Sequence, residues 1–176
     1  MEPISQANVS FSFLKESSDF LNLIISNISS CVMLLDGQMR LHAYNDPLTT
    51  IFSNRAGESL QYIKCGNAIG CAYAIEEEKE CGTSSKCLYC ELRETVLLSF
   101  NENRAIYKQR IDREFYNKRQ IKELKHLQFS TRLFHFKNDN YIILIIDDIT
   151  KLINQQELLI KHEEVIRKLT KQQNIN

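Results

Sequence analysis

Tryptophan is absent from this 176-residue chain, glycine occurs only 5 times, and neither sign of charge is in excess, Lys+Arg and Asp+Glu both being 22. Balanced charge removes the long-range field that draws a protein to nucleic acid or an anionic membrane, so partners must be recognised locally. Few glycines leave little room for phosphate-cradling turns, and the chain contains no nucleophile elbow or metalloprotease helix. These absences argue against an enzyme. The opening MEPISQANVSFSF has neither the basic flank nor the apolar run of a signal peptide, and no apolar stretch reaches membrane-spanning length. The expected compartment is the cytoplasm, with neither membrane nor nucleic acid as a partner.

What the chain does have is 43% hydrophobic and 25% charged residues, the balance of a globular protein built on one core, and six cysteines. In a reducing compartment that many thiols point to metal ligation or redox chemistry before structural disulfides.

From Phe13 to Ile28 apolar residues recur at helical spacing opposite Ser17, Ser18 and Asp19, which predicts an entry helix. CVMLLDGQMRLHAYN then reads as a hairpin turning at Asp36-Gly37-Gln38, and Pro47 opens a short helix to about Phe52. The stretch from about Gly57 to Ser85 keeps neither period and holds most of the cysteines. CLYCELRETVLLSF predicts one helix from Cys87 to Phe100, with Leu88, Leu92, Val96 and Phe100 as its apolar spine. Three strands follow: Ala105 to Phe115, Lys122 to Lys137, and Tyr141 to Asp147. The last is apolar throughout YIILI, as in a central strand covered on both faces. From Ile149 to Thr170 an exit helix places Leu152, Leu159 and Ile166 seven apart, with Leu158, Val165 and Leu169 beside them. Gln155 and His162 interrupt the stripe, so it is a short, imperfect coiled-coil seam suited to a homodimer.

Cys71, Cys81, Cys87 and Cys90 lie within twenty residues, and Gly70 and Gly82 supply tight turns beside two of them. Cys87 and Cys90, three apart at a helix start, can aim both sulfurs at one point, and the positive helix end favours thiolates. Thr83, Ser84 and Ser85 offer a cap, Lys64, Lys79 and Lys86 add positive charge, and Glu76-Glu77-Glu78 is expected to face solvent. Four such thiols point to a metal. Their spacing does not choose between a structural zinc ion and an iron-sulfur cluster. A catalytic dithiol lacks its strand-helix context, whereas a metal-free thiol-disulfide switch remains an alternative. Cys65 is an extra thiol close enough to serve as an alternate ligand. Cys31, among Val32, Met33, Leu34 and Leu35, reads as a core residue, and His42, His126, His135 and His162 read as hydrogen-bonded or solvated.

Three features carry a resemblance: the hairpin ending in His42-Ala43-Tyr44-Asn45, the apolar last strand ending in Asp147-Asp148-Ile149-Thr150, and the helix leaving directly after it. Together they resemble the PAS domain, a bacterial sensor module, over roughly Phe20 to Thr150. The implied fold class is α+β, a five-stranded antiparallel sheet with helices on one face. It would comprise an entry helix over 1–29, a PAS-like sensor over 30–150 with a cysteine-rich insertion at about 57–90, and a signalling or dimerisation helix over 151–176. Gly66-Asn67-Ala68-Ile69-Gly70-Cys71, Cys81-Gly82 and Cys87-Leu88-Tyr89-Cys90 are similar to PAS proteins with an iron-sulfur-type insertion. That resemblance implies a [4Fe-4S] or [2Fe-2S] cluster on Cys71, Cys81, Cys87 and Cys90, with zinc as the alternative. It also implies a redox or oxygen sensor that signals to a partner such as a histidine kinase. The sequence departs from the pattern at Cys65-Gly66-Asn67, where an arginine or proline followed by Gly-Asp would be expected.

Overall fold

A computed structural model describes residues 18–52 and 59–173. The expected starts of the entry helix at Phe13 and of the middle segment at Gly57 lie outside the described residues. The helices are α1 (Ser18–Asn27), α2 (Pro47–Phe52), α3 (Cys65–Ala68), α4 (Ala72–Glu76), α5 (Glu91–Glu102) and α6 (Thr150–Gln173). The strands are β1 (Cys31–Leu35), β2 (Leu41–Tyr44), β3 (Ile106–Tyr116), β4 (Lys122–Phe136) and β5 (Asp139–Asp148). All five form one antiparallel sheet in the order β2-β1-β5-β4-β3, so the first and last strands lie side by side.

Alternation along the strands decides which face is covered. Cys31, Met33 and Leu35 of β1, Leu127 and Phe129 of β4, and Ile142, Leu144 and Ile146 of β5 point to one side. There they pack with Leu48 and Phe52 of α2 and Leu92 and Val96 of α5. The other face is largely open, with Phe134, Phe136 and Ile145 exposed. The apolar run of β5 therefore marks its central place in the sheet, but cover on both faces does not follow. Buried Asn45 ties α1 to this frame: its amide donates to the Ile25 and Ser30 carbonyls, each at 3.0 Å, and accepts the Val32 N–H at 2.8 Å.

One element differs clearly from the sequence reading. Cys87–Tyr89 forms a single 3₁₀ turn, Cys90 is the extended N-cap, and α5 begins only at Glu91. Leu88 and Tyr89 are 86% and 80% exposed, so Leu88 leaves the apolar spine that Leu92 and Val96 continue. The helix is interrupted where sulfur placement competes with helical spacing.

At the other end, α6 leaves β5 without a loop. The Asp148 carboxylate accepts the Thr150 N–H at 3.0 Å, and the Ile149 N–H donates to the His126 carbonyl at 2.9 Å. Leu152, Leu158, Leu159, Val165, Ile166 and Leu169 of α6 are all exposed in the single chain. Among the described residues no helix is long and apolar enough to cross a membrane.

Candidate metal centre

The segment from Cys65 to Cys90 is pinned at Cys65 to the β1–β2 turn and at Gly70 and Cys71 to the edge strand β3. The Cys65 N–H donates to the Met39 carbonyl at 2.8 Å, and the Tyr116 N–H of β3 donates to the Gly70 carbonyl at 2.8 Å. Cys71 also forms an isolated antiparallel bridge with Phe115. These anchors leave the intervening chain free to turn inward. Cys65, Cys71, Cys81, Cys87 and Cys90 all line one cavity of about 30 Å³ against Met39, Ile111 and Phe129. That is room for about two water molecules. Among the described residues, no three Cys, His, Asp or Glu side chains are already drawn together tightly enough to hold a single metal ion.

Two sulfurs of the expected set, those of Cys87 and Cys90, meet donors. Cys87 Sγ accepts the Gly82 N–H at 3.2 Å and lies 3.0 Å from Ser84 Oγ. Cys90 Sγ accepts Arg113 Nη1 at 3.0 Å. The Ala74 N–H donates to the Cys71 carbonyl at 3.1 Å. Thr83-Ser84-Ser85 therefore does not cap α5, which has no side-chain cap bond. Ser84 turns to the Cys87 sulfur instead.

Burial raises the thiol of Cys81 to about 11 and raises Cys71 above its ordinary value. It raises Cys65 and Cys31 as well, Cys31 to about 12. Cys87 goes the other way: burial pushes it up, but hydrogen bonds from Ser84 and Gly82, with Arg93 nearby, outweigh that and lower it. Cys31 is fully buried in β1 and takes no part in the cavity wall.

Two features fix the loop. A Cβ on Gly66 would stand 2.5 Å from Cys81 Sγ and 2.9 Å from Cys81 Cβ, so only glycine lets the two segments meet. Glu77, expected to face solvent with its neighbours, instead binds the far side of the loop. Its carboxylate accepts the Ser85 hydroxyl, Lys79 Nζ at 2.9 Å and the Ser85 N–H at 3.0 Å, and these, the hydroxyl foremost, lower it to about 2. Glu76 and Glu78 are exposed.

Arg113 was not singled out from the sequence. It lies on β3 between Ile111 and Phe115, on the inward face, with its guanidinium 5.2 Å from the Tyr73 ring centre. Among the described residues no acceptor reaches its buried Nε. Burial lowers its pKa, but the Cys90 and Cys71 sulfurs outweigh that and raise it. An arginine at an inward strand position between two apolar residues is the signal that could have found it. The donor set, an inward cation and four sulfurs around one cavity fit an anionic, thiolate-held group.

No protein-family model and no curated protein sequence matches the chain. Solved structures do. The PAS domain of Bordetella pertussis BvgS is 16% identical, with a TM-score of 0.51 over 85% of this chain and 96% of that one. The PAS domain of nitrogen regulation protein NR(II) from Vibrio parahaemolyticus is 10% identical, with a TM-score of 0.50 over 73% and 97%. The fold is PAS-like. An RNA-binding light-oxygen-voltage receptor matches at 10% identity and a TM-score of 0.56, and the match spans 94% of this chain but 41% of the receptor. The PAS-like sheet thus supplies the wall of the cysteine cavity through Ile111 and Phe129, and its last strand leads directly into α6.

Proposed function

We propose that this chain is a sensor that holds an iron-sulfur cluster through Cys71, Cys81, Cys87 and Cys90 and reports its redox state, or oxygen, through α6. The observation that carries the reading is that four sulfurs from three separate turns line one cavity, with Gly82 and Ser84 at the Cys87 sulfur and Arg113 at the Cys90 sulfur. The choice of a cluster over a single zinc ion rests on the resemblance of Gly66–Cys71, Cys81-Gly82 and Cys87–Cys90 to PAS proteins with an iron-sulfur-type insertion. A cluster held there would supply a one-electron couple whose potential depends on charge and hydrogen bonding at its sulfurs. The chain's own part is to hold thiolates in a largely apolar pocket, to offset their charge with Arg113 and backbone N–H groups, and to join that pocket to β3.

The exposed stripe of α6 is the natural output, either by pairing with a second copy or by engaging a partner such as a histidine kinase. The role proposed is sensing, with no reaction catalysed.

Single Cys→Ser changes at positions 65, 71, 81, 87 and 90, read by iron and acid-labile sulfide content after anaerobic purification, test the ligand set. Loss at 71, 81, 87 and 90 with retention at 65 is expected. Loss at 65 with retention at 71 would reassign the site.

A further inference from the structure

Resting on that functional reading, we infer that Arg113 is the positioning residue that couples the charge of the thiolate site to the root of α6. On its cavity side Arg113 donates to Cys90 Sγ at 3.0 Å and stacks on Tyr73. Its place in β3 supplies the other half of the connection. Asp112 and Arg113 stand directly opposite His126 and Lys125 of β4. Those two β4 residues are the ones that grip the start of α6. Lys125 Nζ donates to Asp148 at 3.0 Å. The His126 N–H donates to Thr150 Oγ1 at 3.0 Å, and its carbonyl accepts the Ile149 N–H at 2.9 Å. Across the strand pair, the His126 ring meets Asp112 at 2.8 Å.

Arg113 and Asp112, being adjacent on a strand, face opposite sides of the sheet. A change in how strongly Cys90 holds the guanidinium therefore pulls on the same two-residue step that carries the Asp112–His126 contact. A second tie strengthens the first: the Cys71–Phe115 bridge and the Gly70–Tyr116 hydrogen bond fasten the cysteine loop to β3 two and three residues beyond Arg113. A charge-assisted hydrogen bond to sulfur is stronger and shorter than a neutral one, so the charge carried by the site sets the pull. The two-state element is the first turn of α6, whose amides are held by Asp148 and His126 or released.

The test uses the full chain, as loaded and as chelator-stripped protein, with Arg113→Gln, Arg113→Lys and Asp112→Ala variants. Arg110→Gln, an exposed arginine of the same strand, is the control. Two quantities are read: the midpoint potential of the bound centre, and hydrogen exchange in a peptide covering 148–160. Wild type should exchange differently there when loaded and when stripped. In the fraction that retains iron, Arg113→Gln should show a lower potential and lose the loaded-against-stripped difference, with the potential largely restored in Arg113→Lys. Asp112→Ala, remote from the sulfurs, should keep wild-type iron content and potential yet lose the exchange difference. Wild-type potential in Arg113→Gln, or a full exchange difference in Asp112→Ala, would overturn the inference and leave the functional reading standing. A wild-type chain that binds no metal would overturn both.

Discussion

Cys87 and Gly66 show how much of the site depends on single residues. Cys87 is the one thiol that its surroundings lower, through Ser84 and Gly82, whereas Cys71, Cys81 and Cys65 are raised by burial. The thiolate is the nucleophile. In metal-free protein near neutral pH, limited alkylation followed by peptide mass analysis should therefore modify Cys87 well before Cys81 or Cys65. Equal labelling of all of them would contradict the geometry. Gly66→Ala places a methyl against Cys81 Sγ where 2.5 Å is available. It should abolish metal uptake while circular dichroism still reports the sheet and helices, since the clash lies in the loop and outside the strands. At this scale the sequence was legible where chemistry dictates residue type, as in the cysteines themselves. It was not legible where a side chain's role depends on a distant element. Arg113 meets Cys90 across 23 positions and Glu77 meets Ser85 across 8. Neither pairing leaves a periodic trace.

Among the elements, the root of α6 is the most exposed to test. Burial raises the Asp148 carboxyl, but hydrogen bonds from Thr150 and Lys125 outweigh this and hold it below the ordinary carboxylate value. A carboxyl whose folded pKa is lowered stabilises the fold fully above its unfolded pKa of about 3.9 and loses that contribution as pH falls through the folded value. Asp148→Ala should thus cost about 1 kcal/mol near neutral pH, as for loss of a helix cap. The gap from wild type should narrow as pH falls below about 4. Urea unfolding followed from pH 7 down through the acid range measures this directly, and a gap that stayed constant on acidification would contradict it. The strands and α6 were readable because alternation and 3.6-residue periodicity survive along them. The start of α5 was misread because Leu88 has the spacing of Leu92 and Val96, and nothing in that spacing reveals that Cys87 and Cys90 must turn their sulfurs inward. The apolar run of β5 misled in a milder way: it marks a central strand, but among the described residues the outer face, with Phe134, Phe136 and Ile145, has no covering layer.

For the whole molecule, one core joins sheet, helices and cysteine loop. Phe129 is both a buried core residue and a wall of the cysteine cavity. Phe129→Ala should cost about 3–5 kcal/mol in unfolding free energy. It should also weaken metal retention, which thermal unfolding of loaded and stripped protein would separate. The PAS-like architecture was legible through a resemblance, carried by His42-Ala43-Tyr44-Asn45, by Asp147-Asp148-Ile149-Thr150 and by the helix that leaves directly after them. The cavity was not visible, since it is made where α5, β3 and the loop meet. The central claim concerns what that cavity holds. Anaerobic purification followed by iron, zinc and acid-labile sulfide analysis, with a visible absorption spectrum, tests it most directly. The account predicts a brown protein containing iron and sulfide, bleached in air. Colourless protein with one zinc per chain, unchanged by air, would contradict it.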